Sequence, residues 1–270
     1  MARDVANWRP KKGEMAFWWL GQLGFIVKTE NSVLVFDPFL EDSPSRLIPP
    51  IIDAEDLDFA DYVLGTHDHG DHIDKKAWKA ISIIAPDTKF VVPAFSKDVI
   101  AKDVPLDESR MIAMNDGAVF RDEAKGIVIK AIPAAHEFLD RDPETGFYQS
   151  LGYIVEVDGL RICHTGDTCK YEGMEAKLID AGPIDALFLP INGRDGFRLR
   201  MGIIGNMDFR EAVDLAGAVK PGITVPAHYD MFAGNSENPY NFIMSLETKF
   251  PERKFWVGGH GERVVLSRDE

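Results

Sequence analysis

Cysteine is nearly absent from this chain: Cys163 and Cys169, six positions apart, are the only two among 270 residues. A chain of this length buries a core that needs no disulfide staple, so both are expected as reduced thiols, in keeping with a cytoplasmic protein. Cys163 reads as a small core residue of a strand. Cys169 follows a polar loop, and simple packing is the favoured reading for it as well. Basic residues are also in short supply, 30 Lys and Arg against 44 Asp and Glu, a formal charge of −14. Such a field repels polyanions and argues against a nucleic-acid partner, although a local cation in a site could still draw in a small anion. Long apolar runs are missing too. Nothing approaches a membrane span, and Met1 to Met15 carries charges and Pro10 where a secretory leader would carry an apolar stretch. What remains is an ordinary globular composition, 45% hydrophobic, with no polar linker, read as one domain over residues 1–270.

The strand-like runs are Ala16 to Thr29 and Ser32 to Phe36, joined at Glu30-Asn31, then Tyr62 to Gly65, Lys89 to Pro93 and Val128 to Pro133. Asp74 has the position of an N-cap for a helix over Lys75 to Ile81. The stretch from Asp103 to Glu123 is polar and carries no clear period. The two halves of the chain echo each other. Leu23-Gly24-Phe25-Ile26-Val27 is matched by Leu151-Gly152-Tyr153-Ile154-Val155, Asp61-Tyr62-Val63-Leu64 by Asp185-Ala186-Leu187-Phe188, and Val92-Pro93-Ala94-Phe95 by Val225-Pro226-Ala227-His228. Two related α/β halves packed face to face around a shared site are expected from this pattern.

Histidine, also scarce at seven residues, is concentrated where it matters. Thr66-His67-Asp68-His69-Gly70-Asp71-His72-Ile73-Asp74 places His67, His69, Asp71 and His72 on one strand-to-helix turn. Imidazole nitrogen and carboxylate oxygen without thiolate suit a catalytic divalent cation better than a structural zinc knot. His136 in Ala134-Ala135-His136-Glu137, Asp167 in His164-Thr165-Gly166-Asp167-Thr168, and His228 in Pro226-Ala227-His228-Tyr229-Asp230 each follow a strand, where sites are commonly built. Gly166 permits the tight turn that aims Asp167 inward.

In the order and spelling of these motifs, the chain resembles the metallo-β-lactamase fold superfamily over nearly its whole length. The resemblance implies a four-layer αβ/βα sandwich with internal pseudo-duplication. It also implies two divalent metal ions, one held by His67, His69 and His136, the other by Asp71, His72 and His228, with Asp167 bridging. Trp19-Leu20-Gly21-Gln22, Asn192-Gly193-Arg194-Asp195 and Ala227-His228-Tyr229-Asp230-Met231-Phe232, with the two ligand segments, are similar to the L-ascorbate-6-phosphate lactonase-like hydrolases. That likeness implies Mn2+ or Zn2+, a cytoplasmic setting and assembly into homo-oligomers.

Two cations about 3.5 to 4 Å apart lower the pKa of a shared water from 15.7 towards about 7, so the expected nucleophile is metal-bound hydroxide attacking a small anionic ester or lactone. Asp71 would orient it. A phosphodiesterase is the alternative, since the same nucleophile can attack phosphorus. A diiron redox protein is a third reading, disfavoured because no flavin-binding module follows. Among the neighbours, Asp37 is either an acceptor that orients a ligand imidazole or an Asp-Pro strand terminator. His164 reads as a satisfied strand histidine. His260 either touches substrate or lies in a surface turn. Asn192 and Arg194 are expected to grip an anionic group of the substrate, with Tyr229 and Tyr148 as further lining. For Arg198 and Arg200 a solvated run or a subunit contact is nearly as good a reading as the same grip on substrate.

Overall fold

Along the strand Glu14–Gly21, Phe17 and Trp19 point one way and Trp18 and Leu20 the other, and all four are buried. Strand side chains alternate between faces, so a strand apolar at both parities must be covered on both sides. The computed structural model, which describes residues 1–267, supplies both covers. Phe17, Trp19, Phe25, Val27, Leu34 and Phe36 join a core between two sheets. Trp18, Leu20, Ile26, Val33 and Val35 join a second core beneath helices.

The strands are β1 Glu14–Gly21, β2 Gly24–Lys28, β3 Val33–Phe36, β4 Tyr62–Leu64, β5 Lys89–Pro93, β6 Met111–Met114, β7 Val119–Asp122, β8 Ile127–Pro133, β9 Leu151–Val157, β10 Leu160–His164, β11 Ala186–Pro190, β12 Ile223–Ala227 and β13 Arg263–Ser267. The helices are α1 Ala2–Asn7, α2 Lys75–Ile84, α3 Lys97–Asp103, α4 Met174–Asp180, α5 Gly196–Arg200, α6 Phe209–Val219 and α7 Pro239–Lys249. One sheet runs β13-β1-β2-β3-β4-β5-β6 and the other β12-β11-β10-β9-β8-β7. Val5, Trp78, Ile81 and Ile100 of α1, α2 and α3 pack on the first sheet. Leu178, Val213, Ala216, Phe242 and Leu246 of α4, α6 and α7 pack with the second. This is the αβ/βα sandwich of the metallo-β-lactamase fold.

The internal echo is a topological fact. The antiparallel hairpin β2–β3 continues into parallel β4 and β5, and the antiparallel hairpin β9–β10 continues into parallel β11 and β12. Parallel strands end on the same side, so the loops after β3, β4, β10, β11 and β12 share one edge.

Two expectations change. The run Ala16 to Thr29 is not one strand: it folds back on itself, with Ala16 opposite Lys28 and Trp19 opposite Phe25. Gly21 at φ 94° and Gln22 at φ 54° make the reversal. Its signal in the sequence is the short Gly21-Gln22-Leu23-Gly24 segment inside a long apolar run, which masks it. The polar stretch from Asp103 to Glu123 contains β6 and β7, the edge strands of the two sheets; β7 is half exposed, which explains its weak apolar period. Asp74 caps α2 as expected, its carboxylate accepting from the Ala77 amide, and the helix runs on to Ile84. Both cysteines are free and buried.

Gly166 sits where nothing larger fits. Its φ is +64°, and an added Cβ would overlap the Leu151 carbonyl oxygen and lie 3.0 Å from Thr66 Cβ. Gly166→Ala should therefore cost about 2–4 kcal/mol in unfolding free energy, from left-handed strain plus overpacking against backbone. Chemical denaturation of the two proteins measures the difference.

Candidate metal centre

The shared edge gathers side chains from four strand ends. His67, His69, Asp71 and His72 lie on the loop between β4 and α2, His136 follows β8, Asp167 follows β10, and His228 follows β12. Asp167 Oδ2 stands at the centre, 3.0 Å from His228 Nε2, 3.4 Å from His72 Nε2 and 3.9 Å from His136 Nε2. Asp71 Oδ2 lies 3.6 Å from His72 Nε2 and 3.9 Å from His228 Nε2. On the other side, His67 Nε2 and His69 Nδ1 are 2.9 Å apart. Ligand atoms of His67, His69 and His136, of His67, His72 and Asp167, and of Asp71, His72 and His228 fall within 4.8 Å of one another. All seven expected ligands are thus brought together, in the two expected groups with Asp167 between them.

Electrostatics fit cation sites. Burial, and next the charge of His72, push the His67 pKa well below the ordinary histidine value, so that ring is a neutral donor. Burial likewise lowers His136. Around His72 burial acts in the same direction but is outweighed by Asp167, Asp71 and Asp37, which hold its pKa well above the usual value. For Asp167, burial is outweighed by His228 and His72, and its carboxyl is held well below the carboxylate range. Among the described residues, His72 Nε2 and Asp167 Oδ1 are buried without a hydrogen-bond partner. Buried polar atoms are normally satisfied. A ring nitrogen and a carboxylate oxygen left over beside other donors of the same kind are what a divalent cation would complete, so the residues fit such ions.

Three of the candidate ligand rings, His67, His72 and His136, are held from behind. Asp37, at φ +40°, accepts from the Thr66 amide at 2.8 Å and the Thr66 hydroxyl at 2.7 Å, and its Oδ2 lies 2.7 Å from His72 Nδ1. The Thr66 hydroxyl in turn lies 3.1 Å from His67 Nδ1. One buried carboxylate therefore orients His72 directly and His67 through a hydroxyl, leaving both Nε2 atoms for the site. Of the two readings of Asp37, its contacts match the orienting one.

Two contributors, Asn206 and Gln22, were given no role from the sequence. Asn206 Oδ1 lies 3.0 Å from His136 Nδ1, and its amide nitrogen donates to Asn192, whose own amide donates to Asn235. Asn192 thus belongs to a buried amide chain behind His136. Gln22 is the second. Its backbone is held by Asp230, Trp19 and His228, and its side-chain nitrogen donates to Asp71 Oδ2 at 2.6 Å and lies 3.1 Å from His228 Nε2. Asn206 sits in an irregular loop with no pattern to mark it. For Gln22 the signal was a polar residue beside a glycine in an apolar run.

The remaining candidates fall outside the openings to the centre. One opening is lined by His67, Asp68, His69, His136, Phe95 and Ile204 among others, and a second by Asp71, Asp167, His228 and Asn235 among others. Asn192, Arg194, Tyr229, Tyr148 and His260 line neither. Arg194 forms a two-pronged ion pair with Glu211 and donates to the Asn206 carbonyl. Tyr229 packs on Trp19, ring centroids 5.2 Å apart. His260 binds Asp230 at 2.6 Å and stacks on Trp19. Arg198 pairs with Asp195, whereas Arg200 is exposed. His164 is the satisfied strand histidine expected, its Nε2 2.8 Å from the Leu23 carbonyl.

Comparison with known proteins agrees with this geometry. The family described as "Beta-lactamase superfamily domain" matches residues 33–229. A UPF0173 metal-dependent hydrolase of Pyrococcus abyssi is 32% identical over 251 residues, 93% of this chain and 96% of the relative. One of Archaeoglobus fulgidus is 31% identical over 239 residues, 87% of this chain and 92% of that one. The chain belongs to the beta-lactamase superfamily and, within it, to the UPF0173 family. Among solved structures, Igni18, a metallo hydrolase from Ignicoccus hospitalis, superposes with a TM-score of 0.73 at 24% identity, covering 95% of this chain and 100% of that one; this likeness bears on the fold.

The amide behind His136 gives a direct test. Removing a partner that orients a metal-binding ring typically weakens metal affinity 10- to 100-fold. Asn206→Ala should show that loss in calorimetric titration with Zn2+ or Mn2+, and Asn206→Asp, which keeps an acceptor facing Nδ1, should recover most of it.

Proposed function

We propose that the protein is a metal-dependent hydrolase of small esters or lactones, with two divalent ions, Mn2+ or Zn2+, held by His67, His69, His136 and Asp71, His72, His228 and bridged by Asp167. The observation that carries this reading is the pair of His/Asp groups sharing Asp167 Oδ2 at the floor of an open cleft. The names of the UPF0173 relatives support the hydrolase class. The sequence likeness to L-ascorbate-6-phosphate lactonase-like enzymes supports a carboxylic ester or lactone as the bond cleaved.

Divalent cations bound there supply Lewis acidity toward a carbonyl oxygen and make water acidic enough to act as a nucleophile near neutral pH. The chain's own residues do the rest. Asp37 and Asn206 fix ring orientation, so the donors are in place before substrate arrives. Asp71 borders the cleft, and the Gln22 amide bound to its Oδ2 sets the plane of its carboxylate. In that pose Asp71 orients the attacking water. Burial tends to raise the Asp71 pKa, but His72 and His228 outweigh it and lower the value, so Asp71 accepts a hydrogen bond as a carboxylate across the neutral range.

Dialysis against a chelator should abolish turnover, and added Mn2+ or Zn2+ should restore it. His67→Ala and Asp167→Ala should each lower kcat/KM by about 10³-fold or more, on the scale of losing an electrostatic catalytic group. Steady-state assays on parallel panels of lactones, carboxylic esters and phosphodiesters measure these effects and identify the bond. Metal-loaded protein that cleaves none of the three removes the reading.

A further inference from the structure

The wall of the cleft beside the metal centre carries three large apolar side chains where a substrate's substituent would lie. Phe95, just before α3, Val99 within α3, and Ile204 in the loop after α5 line the same opening as His67, His69 and His136. They are 40%, 47% and 40% exposed. Large apolar side chains left open to water beside a polar centre mark a binding surface. The apolar character continues along the segment after His136, where Phe138 and Leu139 are also exposed.

Charge points the same way. The residues lining this opening include neither lysine nor arginine among the described residues. Of its two carboxylates, Asp68 pairs at 3.1 Å with Lys75, which it shares with Asp103, and Asp140 has no ion pair among the described residues. An anionic substituent would meet Asp140 with no compensating cation, in a chain whose formal charge is already −14. The arginine expected to receive such a group, Arg194, is held by Glu211. The cavity is about 290 Å³, at the small end of ligand sites.

From this we infer that the substrate carries a short, uncharged, apolar substituent that lies against Phe95, Val99 and Ile204. The hydrolysed group sits at the metal centre, and the inference rests on the hydrolase reading for that placement. The polar side chains of Ser96 and Gln149 in the same wall are compatible with a neutral carbonyl or hydroxyl at the base of the substituent. Ions held by the His/Asp cluster would face the reacting group, and the chain itself selects against a negative charge on the substituent.

Hydroxamates test the tail without requiring turnover. Calorimetry on Zn2+-loaded protein would compare acetohydroxamate, butanohydroxamate and hexanohydroxamate with the adipic monohydroxamate, which ends in a carboxylate. Affinity should rise roughly three- to fourfold per methylene buried, and the carboxylate-ended compound should bind at least tenfold more weakly than hexanohydroxamate. Val99→Lys should narrow or invert that last ratio. A flat chain-length series, tighter binding of the carboxylate-ended compound, or no hydroxamate binding to metal-loaded protein overturns the inference. Tail-dependent binding without cleavage of any ester or lactone would leave the apolar subsite standing and remove the hydrolase reading instead.

Discussion

A single buried carboxylate, Asp37, ties the centre to the scaffold. It accepts from the Thr66 amide and hydroxyl and faces His72 Nδ1, and Thr66 passes its influence to His67. A buried charge is tolerated only when its acceptors are filled, and here the groups that fill them belong to the loop that carries four of the seven proposed ligands. Satisfying Asp37 and shaping the His67 to His72 loop are one event. Its position at the end of β3, in a left-handed backbone conformation, puts local strain beside the site, where folded proteins concentrate it.

The rest of the architecture converts this local constraint into a donor cluster shared by both halves. Each half contributes a hairpin that continues into parallel strands, and the parallel strands deliver their loops to one edge. The first half supplies the His67 to His72 loop, and the second supplies Asp167 and His228. Face-to-face packing of the two sheets, through residues such as Phe17, Phe25 and Phe188, brings Asp167 to the middle of five imidazoles. Neither half alone holds a complete set of donors.

Much of this was legible because the residues that define it are rare and locally patterned. Three of seven histidines in one short segment, and a Gly-Asp turn after a strand, stand out in a sequence of ordinary composition. The duplication was legible because strand-ending motifs repeat in order. What stayed hidden depends on long-range geometry. Gln22 reaches Asp71 only because the first apolar run turns back at Gly21, and Asn206 reaches His136 across 70 positions of chain. Arg194 shows the converse. Its neighbourhood suggested a loop facing the cleft, but Glu211, from the first turn of α6, captures the guanidinium, and no local pattern reports that. Sequence periodicity reports which face of an element is buried, whereas the partner of a long polar side chain is decided by what tertiary packing brings near.

The closing strand β13 pairs with β1, Met15 opposite Leu266 and Phe17 opposite Val264, and the Gly261 amide donates to the Trp19 carbonyl. Trp19 in turn holds the carbonyl of Gln22, the residue that reaches Asp71. During synthesis, then, the N-terminal sheet cannot be completed until β13 has emerged, long after the His67 to His72 loop, and His228 also comes late relative to that loop. A nascent chain would carry the His67 to His72 cluster long before it could cage an ion with it. Capture of an ion in the final geometry would thus wait for His228 and β13, so ion selection would fall to a chain in which both halves are already made.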